Sequence, residues 1–318
     1  MGKEKQTGFR TTIGGQALIE GILMRGPEKQ AIVVRGPEGL VIKEEPLKLI
    51  RDKYPVLGLP LIRGSVTFLD SMVKGVKALM FSADYYPEED LGEPSKFEKW
   101  LDEKLGNEKM EQAVVFFSVL LAVGFSLLLF MLIPTVLSGV VEHFTKSVLA
   151  RNVVDGVLRV AIFMGYMILV SRMKDIKRVF AYHGAEHKTI FCYERGLELT
   201  VENVRPMPKH HPRCGTSFLF VVIIVAILVH SVLFAIWPVS NVLARIGIQL
   251  LALPFVVGIT YEFNRYVGGH DNPVTAFLAK PGLWMQNFTT NEPDDSMIEV
   301  AIEAMKRVIP AEKGKDRW

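Results

Sequence analysis

Charge and cysteine are the scarce ingredients of this chain. Of its 318 residues only 22% are charged, below the roughly 25% of an ordinary soluble domain, and the mean hydropathy of +0.26 leans the same way, towards a membrane. Two cysteines exclude a disulfide-stapled scaffold and any cluster that needs four thiolates. A net charge of +3 with seven histidines is too near neutral for a dedicated nucleic-acid binder. The opening MGKEKQTGFRTTIGG has no apolar core of the kind a cleavable signal carries, and Gln6 stands where a myristoylation signal has Ser or Thr, so neither feature is expected. There is no G-x-G-x-x-G, no Walker phosphate loop and no G-x-S-x-G elbow. Internal repeats and low-complexity tracts are missing too.

What the chain does have is long apolar runs. Residues 113–133 (AVVFFSVLLAVGFSLLLFMLI) carry no charge and are expected to end at Pro134, close to the ~20 residues that cross hydrocarbon. Residues 153–170 hold Asp155 and Arg159 four apart, a spacing at which a helix can pair them. Residues 217–237 are interrupted only by His230, expected to be a satisfied histidine between helices, and close on Trp237. Residues 242–261 contain Arg245, Gln249 and Pro254, a kink candidate. Four transmembrane helices are therefore expected. Lys and Arg concentrate between the second and third (Arg172, Lys174, Lys177, Arg178, Lys188, Arg195, Arg205, Lys209, Arg213), while the other connections offer Lys146, Arg151 and Arg245. The positive-inside rule then puts this central loop, 172–216, and both termini in the cytoplasm of a multi-pass inner (cytoplasmic) membrane protein, with Cys192 and Cys214 as reduced thiols.

The expected fold class is thus an α-helical integral membrane protein with a small N-terminal α+β cytoplasmic region and cytoplasmic amphipathic helices. Three segments follow: 1–92, the four-helix membrane domain 93–264, and 265–318. In the first, 31–35 and 40–43 are β-prone runs around Gly36-Pro37-Glu38-Gly39, a hairpin. Val66, Leu69, Val73, Val76 and Met80 lie at helical spacing in 62–82, with Arg63, Lys74 and Lys77 among them; this helix covers the hairpin or lies on the membrane, packing against the hairpin being preferred. Residues 84–92 form a charged linker, and Ser95-x-x-Glu98 opens a short helix with Phe97, Trp100, Leu101 and Leu105 on one side. Met297, Ile298, Ala301, Met305 and Ile309 mark another amphipathic helix over 294–309.

The chemistry-bearing string follows the second apolar run: RVFAYHGAEHKTIFCYERG. His183 and His187 are one helical turn apart on one face, a spacing at which two imidazoles hold one metal ion, and Glu186 lies beside them where a carboxylate can take a proton from metal-bound water. H-x-x-E-H is the reversed zincin arrangement. Its chance expectation in such a composition is about 0.01, or ~0.1 once the choice among motifs is allowed for, so the alternative of two histidines packing at the interface stays open. A second cluster, PKHHPRCGTSF, brings His210, His211 and Cys214 to the mouth of the third apolar run. Glu262, in YEFNR, stands at the mouth of the fourth. Topology brings these groups to one membrane face. His183 and His187 are read as zinc ligands on an extension of the second span, with the third ligand open among Cys214, Glu262 and His211; taken alone, Glu262 could equally be an interfacial carboxylate. His270, in GGHDNP, fits a turn, and Glu20 is expected to pair with Arg25.

The strings GGQALIEGILMRGP, YHGAEHKTIFCYE, HPRCGTSF, YEFNR and PGLWMQNFTTNEPDD together resemble the YqhQ-like family of bacterial membrane proteins, over residues 14–309. That family is often labelled as predicted metal-dependent enzymes. The resemblance implies a cytoplasmic-membrane protein with positions of interest at His183, Glu186, His187, His211, Cys214 and Glu262; it supplies no reaction. The leading expectation is a zinc-dependent membrane hydrolase, peptide-bond cleavage being the natural subclass, with Glu186 as general base. The rival is a non-enzymatic membrane adaptor or regulator whose closed metal site clamps the loops onto the helices. A transporter fits less well, because repeated halves are missing and intramembrane charges are few. Expected partners are the lipid bilayer and a membrane or cytoplasmic protein as partner or substrate, with no nucleic acid.

Overall fold

The computed structural model describes residues 9–85, 107–144, 147–270 and 272–318. The linker 84–92 beyond Tyr85, the Ser95–Glu98 cap and the first eight residues lie outside them. The chain divides into two compact units, one of 1–86, 167–225 and 253–318, the other of 87–166 and 226–252.

The first unit is built on a four-stranded antiparallel meander, β1 (Gly14–Leu18), β2 (Gly21–Arg25), β3 (Lys29–Gly36) and β4 (Gly39–Pro46), paired in sequence order. Gly36 pairs with Gly39 across the Pro37-Glu38 turn, as the sequence predicts. The β1–β2 hairpin is an element the sequence reading did not anticipate. Its two-residue turn, Ile19-Glu20, has none of the usual turn residues, and Glu20 takes a positive φ of 50°. Glu20 also corrects an expected pair. Its carboxylate accepts from Arg178 (2.6 Å) and from the Tyr182 hydroxyl (3.1 Å), not from Arg25, so the hairpin tip is fastened to the helix that carries the histidines.

That helix is one of eight long helices described here: α1 (Ile62–Ala83), α2 (Asn107–Leu127), α3 (Val148–Val170), α4 (Lys174–Glu194), α5 (Gly215–Ile236), α6 (Val242–Gly269), α7 (Pro273–Thr289) and α8 (Asp295–Val308). α4 is separate from α3, because Met173 adopts an extended conformation between them; the histidines do not ride on a prolongation of the second span. Ile22, Met24, Ala31 and Val33 of the sheet pack with Tyr182, Ala185 and Ile190 of α4 and with Ile298, Ala301 and Met305 of α8. α8 is the expected C-terminal amphipathic helix, capped by Asp294, whose side chain accepts from the Met297 amide at 3.0 Å. α1 meets the expectation in part: its C-terminal half covers the sheet, with Ala78 buried among Leu18, Leu23, Ile32 and Val34 and Leu79 and Phe81 packed against them, while Leu69, Val73 and Val76 of its apolar stripe are exposed.

Four helical stretches, Ala113–Gly139, Leu149–Val170, Gly215–Ile236 and Val242–Gly269, are long and apolar enough to cross a membrane. The first does not stop at Pro134: a π-helical turn, Leu128–Leu132, hands over to Ile133–Gly139, accommodating the missing proline donor. In the second unit Asp155 and Arg159 pair at 2.7 Å as expected. His230 does not meet expectation. It is buried, yet neither ring nitrogen has a hydrogen-bond partner among the described residues.

Candidate metal centre

Twelve consecutive residues of α4, 181–192, are buried, among them His183, Glu186, His187, Lys188 and Thr189. Polar groups in such a place need partners inside the protein. The helix ends as the sequence predicts, at Gly196, whose φ of +68° supplies the left-handed residue after the last turn.

Each imidazole is held by its Nδ1. The His183 Nδ1–H donates to the Thr289 carbonyl (2.7 Å), at the end of α7, and the His187 Nδ1–H to the Lys209 carbonyl (2.5 Å), in the loop before α5. A carbonyl can only accept, so each Nδ1 carries a proton and each Nε2 is the ring atom left to meet a metal. His183 Nε2 lies 3.1 Å from Cys214 Sγ, and one donor atom from each of His183, His187 and Cys214 falls within 4.8 Å of the others. Tetrahedral zinc ligands at their usual bond lengths stand about 3.3–3.8 Å apart, so the three donors need move about an ångström at most. Tethering of the distal nitrogen to a carbonyl is what metal-bound histidines show. The residues fit a zinc ion.

Cys214 directly precedes α5. Its sulfur accepts from the Thr216 amide (3.4 Å) and lies 3.1 Å from the Thr216 hydroxyl. Burial alone would raise this thiol, but His183 and His187 outweigh it and hold it well below its ordinary value. His183 shows the converse: burial opposes protonation, the Cys214 thiolate overcomes it, and the pKa rises to about 9. Glu186 is buried beside these groups without joining them. One oxygen accepts from the Gly15 amide of β1 (2.9 Å), the other has no partner among the described residues, and burial pushes the carboxyl up despite the two imidazoles.

The remaining candidates sit elsewhere. His211 is a neighbour of the group, its ring 5.6 Å from that of His187, but it faces Glu194 (3.6 Å) and Arg213, and burial lowers its pKa to about 4. Glu262 does not join the three donors: its carboxylate receives the Arg63 guanidinium (2.7 Å at Nε) and the Leu61 amide (3.3 Å), partners nearly two hundred residues away in sequence that its place at a helix mouth could not reveal. His270 directly follows α6, with Nδ1 on the Tyr266 carbonyl (2.8 Å). Several supporting residues escaped the sequence reading. Gln286 accepts from the His211 amide (2.7 Å) and donates to its carbonyl (2.8 Å), pinning the loop before Cys214 to α7; the only signal was its place in the PGLWMQNFTTNEPDD string. A cavity of about 840 Å³ opens beside Cys214, walled by Phe68, Phe218, Tyr261, Arg265 and Trp318 among others.

A family model described as "Protein of unknown function (DUF1385)" matches residues 59–311. The chain belongs to this family. The matched DUF1385 region contains all three donors, Glu186 and Glu262, whereas Gly15 and the sheet precede it. Among curated proteins, the "Uncharacterized protein YqhQ" of Bacillus subtilis (strain 168) is 32% identical over 309 residues, covering 94% of this chain and 92% of that protein. No solved structure matches the chain.

Proposed function

We propose that the protein is a zinc-dependent hydrolase of the bacterial cytoplasmic membrane, with its site at the cytoplasmic surface and a peptide bond as the substrate that the H-x-x-E-H arrangement suits best. The observation that carries this is the convergence of three donors, His183, His187 and Cys214, beside a carboxylate that is not one of them. Among the described residues no fourth His, Cys, Asp or Glu joins the group, which leaves a position for substrate and favours an enzyme over a closed structural clamp. A bound zinc ion would supply Lewis acidity and an activated water. The chain's own residues do the rest. Glu186 would accept a proton at its unpartnered oxygen, while the Gly15 amide fixes the other oxygen and so aims the carboxylate. Thr289 and Lys209 keep the imidazoles in one tautomer. The cavity beside Cys214 has the volume of a site for a drug-sized ligand or short peptide segment. The excess of Lys and Arg in 172–216 supports cytoplasmic placement of that segment and of both termini.

The test separates enzyme from clamp. Elemental analysis of purified protein should give about one zinc per chain in wild type and in Glu186→Gln, while comparison of membrane-protein fragments from cells carrying each form should show cleavage products lost in Glu186→Gln. Unchanged fragments with metal retained would leave the clamp as the better account.

A further inference from the structure

The stretch leading into α1 exposes large apolar side chains that the described protein does not cover: Val56, Leu59, Leu61 and Ile62, then Leu69, Met72 and Val73 along the helix. The second half of α1 lies on the sheet, through Ala78, Leu79 and Phe81; its first half buries Gly64 and leaves Leu69 and Met72 exposed. Its first half rests on α6 and α5. The Ser65 hydroxyl donates to the Pro254 carbonyl (2.6 Å), and Phe68 stacks on Phe218 with ring centroids 5.7 Å apart. The Leu61 carbonyl comes so close to Gly258 that a Cβ there would lie 2.3 Å from its oxygen.

These contacts fix a depth. Gly258 and Pro254 stand one and two turns before Glu262, where the apolar run of α6 gives way to polar residues, so they lie about 6 and 12 Å inside that run along the helix axis. Whatever touches them shares that depth. Charge in the segment is arranged accordingly: Arg63 is paired with Glu262, and Lys74 with Asp70 at 2.8 Å. Glu262 also accepts the Leu61 amide, so one carboxylate fastens the start of α1 to the polar end of α6.

We propose that residues 55–73 are embedded in the cytoplasmic leaflet as a fifth membrane element that enters and leaves on the same side, its large apolar face covered by acyl chains. The occupant is lipid and not a second copy because α1 is seated within the apolar length of a helix whose own outer face needs hydrocarbon. This rests on α6 spanning the bilayer, as proposed above. One face of the cavity beside Cys214 is then formed by a lipid-embedded helix, through Thr67, Phe68 and Ser71.

The experiment uses the full chain in phosphatidylethanolamine–phosphatidylglycerol vesicles, spin-labelled at single introduced cysteines, with the signal of the unsubstituted chain subtracted. Leu59→Cys and Leu69→Cys are compared with Leu251→Cys on α6 and Leu40→Cys on β4, all exposed positions. Labels at 59 and 69 should collide with oxygen several-fold more often than with a water-soluble nickel chelate, as at 251, and the label at 40 should show the reverse. Preference for the chelate at 59 and 69, with 251 still preferring oxygen, overturns the proposal and leaves the spans intact. Exclusion of both reagents at 59 and 69 overturns it in favour of a protein partner. Chelate preference at 251 itself means that the membrane reading has failed, and the proposal with it.

Discussion

Both units bury histidine inside helices, and they treat it in opposite ways. In the unit that holds the sheet, His183 and His187 each have one nitrogen tied to a carbonyl and the other turned towards Cys214. In the other unit His230 has neither nitrogen bonded among the described residues, the Gln249 amide is likewise without a partner there, and Arg245 lies over the Phe234 ring at 3.9 Å, donating to Asn152 Oδ1 (3.2 Å) and to the Val239 carbonyl (3.3 Å). Burial of a polar group is common to the two places; convergence of metal-ligating atoms with the far ring nitrogens fixed belongs to one. That convergence is the arrangement a metal-binding group needs, with the far nitrogen of each ring tethered to a carbonyl.

The sharpest way to break the comparison is to remove a donor. His187→Ala should lose the metal and with it the stabilisation that binding confers, about 4 kcal/mol when free metal stands a thousandfold above its dissociation constant. At roughly 2–4 °C per kcal/mol, the melting temperature in detergent should fall by about 8–16 °C. A strong chelator should reproduce most of that fall in wild type and add little in the variant. A melting temperature insensitive to both would remove the metal from the account of this core.

Acid titration comes next in size. His211 has a folded pKa of about 4 because it is buried as the neutral ring. In the unfolded chain it binds a proton near 6.5. Between those values the unfolded state holds more protons, so the stability is fully present above pH 6.5 and is lost as the pH falls towards 4, up to roughly 3 kcal/mol in all. Glu194, held below its ordinary value by His211 and Arg213 against the effect of burial, acts with the same sign. Metal-free protein melted at pH 7.5 and pH 5 should show the loss, and His211→Gln should flatten it. An unaltered pH slope in that variant would assign the acid sensitivity elsewhere.

How much of this was legible from residues alone depends on whether side chains or backbone carry it. The four apolar helices declare themselves by composition, and the β3–β4 hairpin by its Gly-Pro-Glu-Gly turn. The β1–β2 hairpin was hidden by Ile19-Glu20, a turn stabilised through Arg178 on a distant helix. Within the site, the i, i+4 histidines and the cysteine preceding α5 are visible as a pattern. The Thr289 and Lys209 carbonyls that orient them have no side-chain signature at all. Glu262 was misplaced for a related reason, since a carboxylate at a helix mouth gives no hint that Arg63 will reach it. Glu262→Gln therefore sharpens the contrast between donor and anchor. For a partly exposed pair it should cost about 0.5–1 kcal/mol in stability and leave zinc content unchanged; loss of metal would return Glu262 to the ligand set.

The smallest expected effect falls on the other histidine. His230 is buried and neither ring nitrogen has a hydrogen-bond partner among the described residues, so its ring carries the desolvation cost of two polar atoms. Leucine of similar volume removes those atoms and keeps the packing. Replacing an unsatisfied buried polar group by an apolar one of like shape is neutral or mildly stabilising. His230→Leu should thus melt within a few degrees of wild type, at or above it, with zinc content unaltered. The same substitution at His183 should abolish metal binding, although both residues are buried. If His230→Leu instead destabilised the protein by more than about 2 kcal/mol, a buried water or polar ligand would have to be satisfying that ring. The second unit would then contain a site of its own, and the contrast between the two kinds of histidine would collapse.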